Sequence, residues 1–352
     1  KQVSRIKQMM SSEKSKKHWS IINTTVNDTR PPPLTSISRN EGDTRVSYDT
    51  QDGVHNVVRD ECEIRYNLAR KSPIMNSKLA FLADAENVDI SVVEDIVEGR
   101  YPIPDDLDIA SKLYIEEVVN MAKVNPLSFD RKPEVSSKNF VSFWSKVNEH
   151  TQSSVSGHHY GTYKAAAKDE TGSEAHALQL TLIARSGVYP ERWGTTMQVL
   201  LRKGDGPCTI ENMRYLNLYD AQFNYYKHFF IGGEAMETLT NFGFLPEVHF
   251  SKKGSTAIDA KLDTALMQDI CRQSRIPMAI ISIDAAQCYD RVNHACLIIL
   301  WAALIKNALI GLVVLQYLQM MEFFQRTGYG DSHVSYGGKT LKADGWVLAK
   351  EV

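Results

Sequence analysis

Met278-Ala279-Ile280-Ile281-Ser282-Ile283-Asp284-Ala285-Ala286-Gln287-Cys288-Tyr289-Asp290-Arg291-Val292-Asn293-His294 is the stretch on which the reading of this 352-residue chain turns. A short apolar run rich in isoleucine ends on Asp284, and Tyr289-Asp290 follows just ahead of the expected start of a helix. A run of that length and composition, bounded by turn residues, predicts a buried strand over 278–283. A strand so placed fixes its backbone and projects its last side chain into a cleft. A carboxylate there is suited to hold a divalent cation.

Working outward, the apolar run Ala295 to Ile305 is broken by Lys306-Asn307 before Ala308 to Leu315 resumes. Each piece falls short of the ~20 residues that span a bilayer, so a pair of core helices, or one long one, is expected and no membrane contact. Upstream, Trp193–Leu201 reads as a strand ending in the turn Arg202-Lys203-Gly204-Asp205-Gly206-Pro207, and Met213 to Leu218 reads as another. A helix is expected over about Ala221 to Leu239. A basic loop, Phe250-Ser251-Lys252-Lys253-Gly254-Ser255-Thr256, opens a further helix to about Gln273. Phe323 to Tyr336 reads as strands joined by a turn at Gly330-Asp331.

Further upstream, apolar residues recur at three- and four-residue intervals over Val92–Val97 and Ile109–Val124, separated by a turn at Pro102–Pro104. Asp105 and Asp106 are expected to favour the N-terminal end of the second helix rather than to catalyse. An amphipathic helix is expected around Phe140–Val147 and another over 175–186. His158 and His159 are adjacent on a loop but lack a third ligand at metal-binding spacing. Residues 1–55 are rich in Ser, Thr, Asn and Lys, contain Pro31-Pro32-Pro33, and predict a disordered tail.

Composition narrows the field less. Hydrophobic residues make up 43% of the chain, enough for a globular core, and the formal charge of −2 gives no global attraction to nucleic acid. A nucleic-acid site would have to be a local basic patch. The five cysteines form no CxxC pair, which suggests free thiols in a reducing, intracellular compartment, cytoplasmic or nuclear. The charged, polar N-terminus does not read as a secretory signal.

Four of these segments, in this order, resemble reverse transcriptases of the non-LTR (LINE-like) retrotransposons. Leu200-Leu201-Arg202-Lys203-Gly204 resembles the strand ending in a Lys-Gly turn, and Met213-Arg214-Tyr215-Leu216-Asn217-Leu218 the Arg-Pro-Ile-Ser-Leu-like strand. Phe250 to Ala260 resembles the Gly-Phe-Arg-x-Gly-x-Ser-Thr-like loop, and Ile281 to His294 resembles motif A, down to its ending Tyr-Asp-Arg-Val-Asn-His. The similarity covers roughly residues 140–338. Two positions depart from the pattern: Tyr215 stands where proline is usual and Ser251 where arginine is.

The resemblance implies a mixed α/β fold, right-hand polymerase fingers plus a partial palm. Fingers would span 137–275 and the partial palm 276–352, after a helical region of unknown role over 56–136 and the tail. It implies template-directed addition of deoxynucleotides, with an RNA template, a DNA primer, deoxynucleoside triphosphates and Mg²⁺, and no small-molecule cofactor. Asp284 would be the metal ligand and catalytic carboxylate. Tyr289 would exclude a ribose 2′-hydroxyl, an aromatic gate that separates the pattern from viral RNA-dependent RNA polymerases. Lys203 and Arg214 would reach triphosphate oxygens, Lys as a point charge and Arg through a bidentate fork. Lys252 and Lys253 would meet template phosphates or solvent. Asp290 is expected to partner Arg291 or the helix start.

The family's second carboxylate element, Tyr-x-Asp-Asp after a Gly-Gln-Gly-like motif B, has no counterpart. Its nearest imitation, Tyr329-Gly330-Asp331-Ser332, lies too close to Asp284 to leave room for motif B, and Gly337-Gly338-Lys339 onward departs from the pattern. These residues alone are therefore expected not to polymerise. The alternatives are a co-opted, non-catalytic nucleic-acid-binding protein and a decayed remnant with an exposed half-palm.

Overall fold

The computed structural model describes residues 34–149, 151, 154–203, 208–245, 254–281 and 291–337. The chain is mixed α/β. Strands β1 (Ile37–Glu41) and β2 (Thr44–Tyr48) form an antiparallel hairpin whose two-residue loop carries Gly42 at φ 61°. This hairpin falls inside the tail expected over 1–55. Helix α1 (Gln51–Tyr66) follows, capped by the Thr50 side chain.

After three short 3₁₀ turns come α2 (Ile90–Val97) and α3 (Ile109–Val124), at the positions the periodicity predicts. The cap of α3 is Asp108, whose carboxylate accepts the Ala110 and Ser111 amides. Asp105 and Asp106 do not cap it; Asp106 accepts the Lys78 amide instead. Helix α4 (Ser137–Trp144) starts on a capping box of Ser136 and Asn139, and α5 (Tyr160–Ala166) and α6 (Glu170–Ser186) follow. Helix α6 ends on Gly187 in the left-handed region, φ 70°, where an added Cβ would lie 2.8 Å from Leu309.

Strands β3 (Thr195–Arg202) and β4 (Met213–Leu218) pair antiparallel. Trp193, expected at the start of the first strand, lies instead in a 3₁₀ turn, Glu191–Gly194. One long helix then runs from α7 (Ala221–Lys227) through a π-helical segment, His228–Ala235, into α8 (Met236–Asn241). Helix α9 (Ala257–Gln273) follows. Helices α10 (His294–Ile305) and α11 (Ala308–Met320) form the expected apolar pair, with Lys306 in the left-handed region at the first C-cap and the Asn307 side chain capping the second. Strand β5 (Glu322–Thr327) then pairs parallel to β3 and antiparallel to β6 (Gly330–Asp331) and β7 (Tyr336–Gly337). The sheet order is β4-β3-β5-β6, with β7 also on β5.

Two apolar cores meet along α10 and α11. The larger joins the sheet to α1, α4, α6, α7 and α11, with Trp144, Trp193, Tyr226, Phe223 and Phe323 all fully buried. The smaller gathers α2, α3 and residues 74–85 around Ala295, Ile298, Ile299 and Ala302 of α10. The helical region thus shares its core with residues downstream. Two cross-links fasten it: the Asn125 amide donates to the Ala303 and Leu304 carbonyls, and the Tyr114 hydroxyl donates to the Cys296 carbonyl. The Asn125 amide satisfies carbonyls that the end of α10 otherwise leaves to water.

Helix α9 stands apart from both cores. Ile258, Leu262, Leu266 and Ile270 form a stripe at four-residue spacing, yet Ile258 is 74% and Leu262 57% exposed. Replacing Leu262 and Leu266 together with lysine is expected to change stability by less than about 0.5 kcal/mol, since neither packs on a core. The same pair should raise the concentration at which the chain stays monodisperse in light scattering. A loss above ~1 kcal/mol in a urea titration would show the stripe to be packed. No helix among the described residues is long and apolar enough to cross a membrane. Cys62, Cys208, Cys271 and Cys296 are free thiols.

Candidate nucleic-acid interface

Side chains alternate between the faces of a strand, and residues paired directly across a ladder share a face. The registers Leu201↔Arg214, Val199↔Leu216 and Val199↔Arg326 therefore place Val199, Leu201, Arg214, Leu216, Phe324 and Arg326 on one side of the sheet. Lys203 extends that side by one step, its amide donating to the Asn212 carbonyl at 2.8 Å. The two basic residues predicted to hold a triphosphate thus stand near each other on one face.

That face is the open one. Val199, Leu201, Leu216 and Phe324 are half-buried, while Lys203, Arg214 and Arg326 are exposed. The Lys203 ammonium donates to the Glu211 carbonyl at 3.2 Å, at the surface. Arg326 is committed to Asp331 by two hydrogen bonds, 2.6 and 2.9 Å. That pairing holds the Asp331 carboxyl below its usual range and raises the guanidinium. Lys203 and Arg214 are the exposed basic side chains of this face, beside Arg326, among the described residues.

The opposite face is closed by α1. Gln198, fully buried, donates to the Tyr66 hydroxyl and to Asn217 and accepts from the Tyr336 hydroxyl at 2.5 Å. Arg65 lies over the Tyr215 ring at 4.8 Å from its centre while bonding Glu61 at 2.7 Å. Tyr215, the departure from the proline pattern, is therefore a packing residue on the closed side. Burial pushes the Cys62 thiol up to about 12, so this side carries no nucleophile there.

The expected metal strand is not borne out where it can be followed. Met278–Ile281 is not a strand, and Ile280 is 54% and Ile281 82% exposed. The reason is one of partners. The isoleucine run pairs with no strand of the β4-β3-β5-β6 sheet, so no ladder holds it extended or buries it. Asp284, Tyr289 and Asp290 lie outside the described residues, as do Lys252 and Lys253. Among the described residues no group of three His, Cys, Asp or Glu side chains is placed to hold a metal ion. The helix expected after Asp290 begins at His294, with Asn293 accepting the Ala295 and Cys296 amides and donating to Ser72.

Other candidates resolve into structure. The Tyr329 hydroxyl donates to the Thr35 carbonyl at 2.8 Å and to that of Asp49, tying the β5–β6 turn to the first hairpin. His159 occupies the N-cap of α5 without a side-chain cap bond, and the His158 ring sits 6.3 Å from that of Tyr163. What the sequence reading missed is a buried polar joint at Asp220, between β4 and α7. Its carboxylate receives Arg192, Ser156 and the first amides of α7. The signal available was its N-cap position ahead of an apolar helix. No protein-family model matches the chain, and the comparison with curated proteins returned no relative.

Proposed function

We propose that these residues carry the fingers and first palm segment of an RNA-directed DNA polymerase of the non-LTR retroelement kind, and that by themselves they bind nucleic acid without extending it. The observation that carries this reading is the placement of Lys203 and Arg214 on the open face of the β3–β4 pair, one just beyond its strand and the other opposite Leu201. An apolar floor with two cations at its rim suits a triphosphate or a backbone phosphate. Asp284 is the residue assigned to Mg²⁺, which when bound supplies charge neutralisation at the triphosphate and a more acidic primer hydroxyl.

A non-catalytic role for the chain as it stands gains weight from Met278–Ile281. That segment is exposed and outside the sheet, without the burial that a catalytic palm strand needs.

The test is binding of a template–primer duplex across a salt series, beside primer extension with Mg²⁺. Changing Lys203 and Arg214 together to alanine is expected to weaken binding about tenfold or more at low salt. It should also flatten the salt slope by roughly one to two phosphate contacts. Asp284→Asn is expected to leave that binding intact. Extension by the wild-type chain that vanishes in Asp284→Asn would overturn the non-extending part. Undiminished binding by the Lys203, Arg214 double variant would overturn the assigned face.

A further inference from the structure

A cavity beyond the β3–β4 face has rings along half of its lining, with Asn139 and Val147 beside them. It opens between α4 and the start of the π-helical segment, has a volume of about 380 Å³, and is lined by Phe143, Tyr225, His228 and Phe229, with Ser142 and Lys146 at its rim. Phe143 sits at the centre of the cluster. Its ring is 4.7 Å from Tyr225 at 36° and 4.9 Å from His228 at 41°. Tyr225 is buried and braced by Phe140 and Trp144, which are buried as well, so this wall is rigid. Phe143 and Phe229 are half-buried and His228 is exposed, leaving ring surface at the opening.

The volume lies at the lower end of the range for small-molecule sites, room for one flat ring and its sugar. None of the described residues that line it is acidic, so a polyanion meets no repulsion there, and Lys146 supplies a cation. The widened backbone of His228–Ala235 begins at this wall, and π-helical turns are recurrent at functional positions. Aromatic surface beside positive charge is the chemistry that holds unpaired bases without reading their sequence.

We infer that this cavity is a stacking site for one unpaired base of a single-stranded nucleic acid, with Lys146 meeting the adjoining phosphate. The inference rests on the reading of the chain as a nucleic-acid-binding fragment, and adds a base-contacting site separate from the Lys203 and Arg214 face.

The experiment compares, by fluorescence anisotropy with the full chain, a labelled single-stranded RNA of about twelve nucleotides with an abasic ribose-phosphate chain of the same length and charge. The RNA is expected to bind about tenfold more tightly, and Phe143→Ala should remove most of that advantage while leaving the abasic chain's affinity unchanged. Because Phe143 also packs on the core, His228→Ala, at an exposed position, serves as the second variant and should cut the advantage severalfold. Lys146→Gln should weaken both probes alike. Equal binding of the two probes would overturn the inference, as would an advantage unmoved by both ring variants. Binding that falls only when Lys203 and Arg214 are changed would overturn this site and leave the proposed function standing. No binding of either probe, or of template–primer, would overturn both.

Discussion

Asp220→Ala is expected to cost about 2–4 kcal/mol of folding stability, because it removes the buried partner of a half-buried ion pair together with a helix cap. The carboxylate is fully buried and accepts the Gln222 amide at 2.7 Å, the Ser156 hydroxyl at 2.7 Å and the Arg192 guanidinium at 3.2 Å. Arg192 also donates to the Tyr163 hydroxyl and to Gln222, and Gln222 in turn bonds Trp193 and Gln179. Alanine leaves the guanidinium facing a void and frees the first turn of α7. Asp220→Asn keeps an oxygen for the cap but turns an amide toward Arg192, and should cost roughly 1–3 kcal/mol. Urea titration measures both, with an unchanged slope marking a loss of stability rather than of two-state behaviour. A loss below ~1 kcal/mol for Asp220→Ala would mean the joint is solvated and carries little. The effect reaches the proposed interface as well, since Asp220 lies between Arg214 on β4 and Tyr225 on α7.

Acid should unfold the chain through His294. Burial lowers its pKa from 6.5 to about 3, and its Nδ1 lies 3.2 Å from the Gln319 side-chain nitrogen. That nitrogen donates to the Ala83 carbonyl, and the Gln319 oxygen accepts the Ala85 amide. With the amide so fixed, Nδ1 must accept, and the ring is neutral with its proton on Nε2. Protonation would set one donor against another in a dry interior. The folded pKa lies below the unfolded one, so the full stability is present above about 6.5 and is lost as pH falls from there toward about 3. Between about pH 7.5 and about pH 4.5 the expected loss from this group is roughly 2–3 kcal/mol. Carboxylates also respond over that range, so the measurement is a comparison with His294→Gln at both pH values. Equal losses in the two proteins would show that His294 does not titrate with unfolding.

How much was legible depended on whether an element's fate was local. Ile109–Val124 carries its own helical periodicity and is a helix; the unbroken apolar runs on either side of Lys306-Asn307 are the buried helix pair. Met278–Ile281 has the composition of a strand but not the partner, and a strand without a ladder is not one. The hairpin of β1 and β2 went unread for the opposite reason. It is mostly polar, and only Ile37 and Ser38 are buried, so the turn at Gly42-Asp43 was its one clear mark. Lys203 and Arg214 were visible as charges on two strands, whereas their common face is a property of register. The ring cavity could not be read at all, because Phe143 and Tyr225 are brought together only by the packing of α4 on α7.

The parallel pairing of β3 with β5 also sets a timetable. Met197 pairs with Phe324, and 324 − 197 leaves 127 residues to be synthesised between the two partners. At about 5–20 residues per second, one edge of β3 waits roughly 6–25 s on the ribosome before its neighbour emerges. During that wait the β3–β4 hairpin offers a bare row of amides and carbonyls to any other nascent chain. Nascent chains stalled before residue 322 should accordingly be sensitive to co-expressed chaperones, and those released after residue 337 much less so.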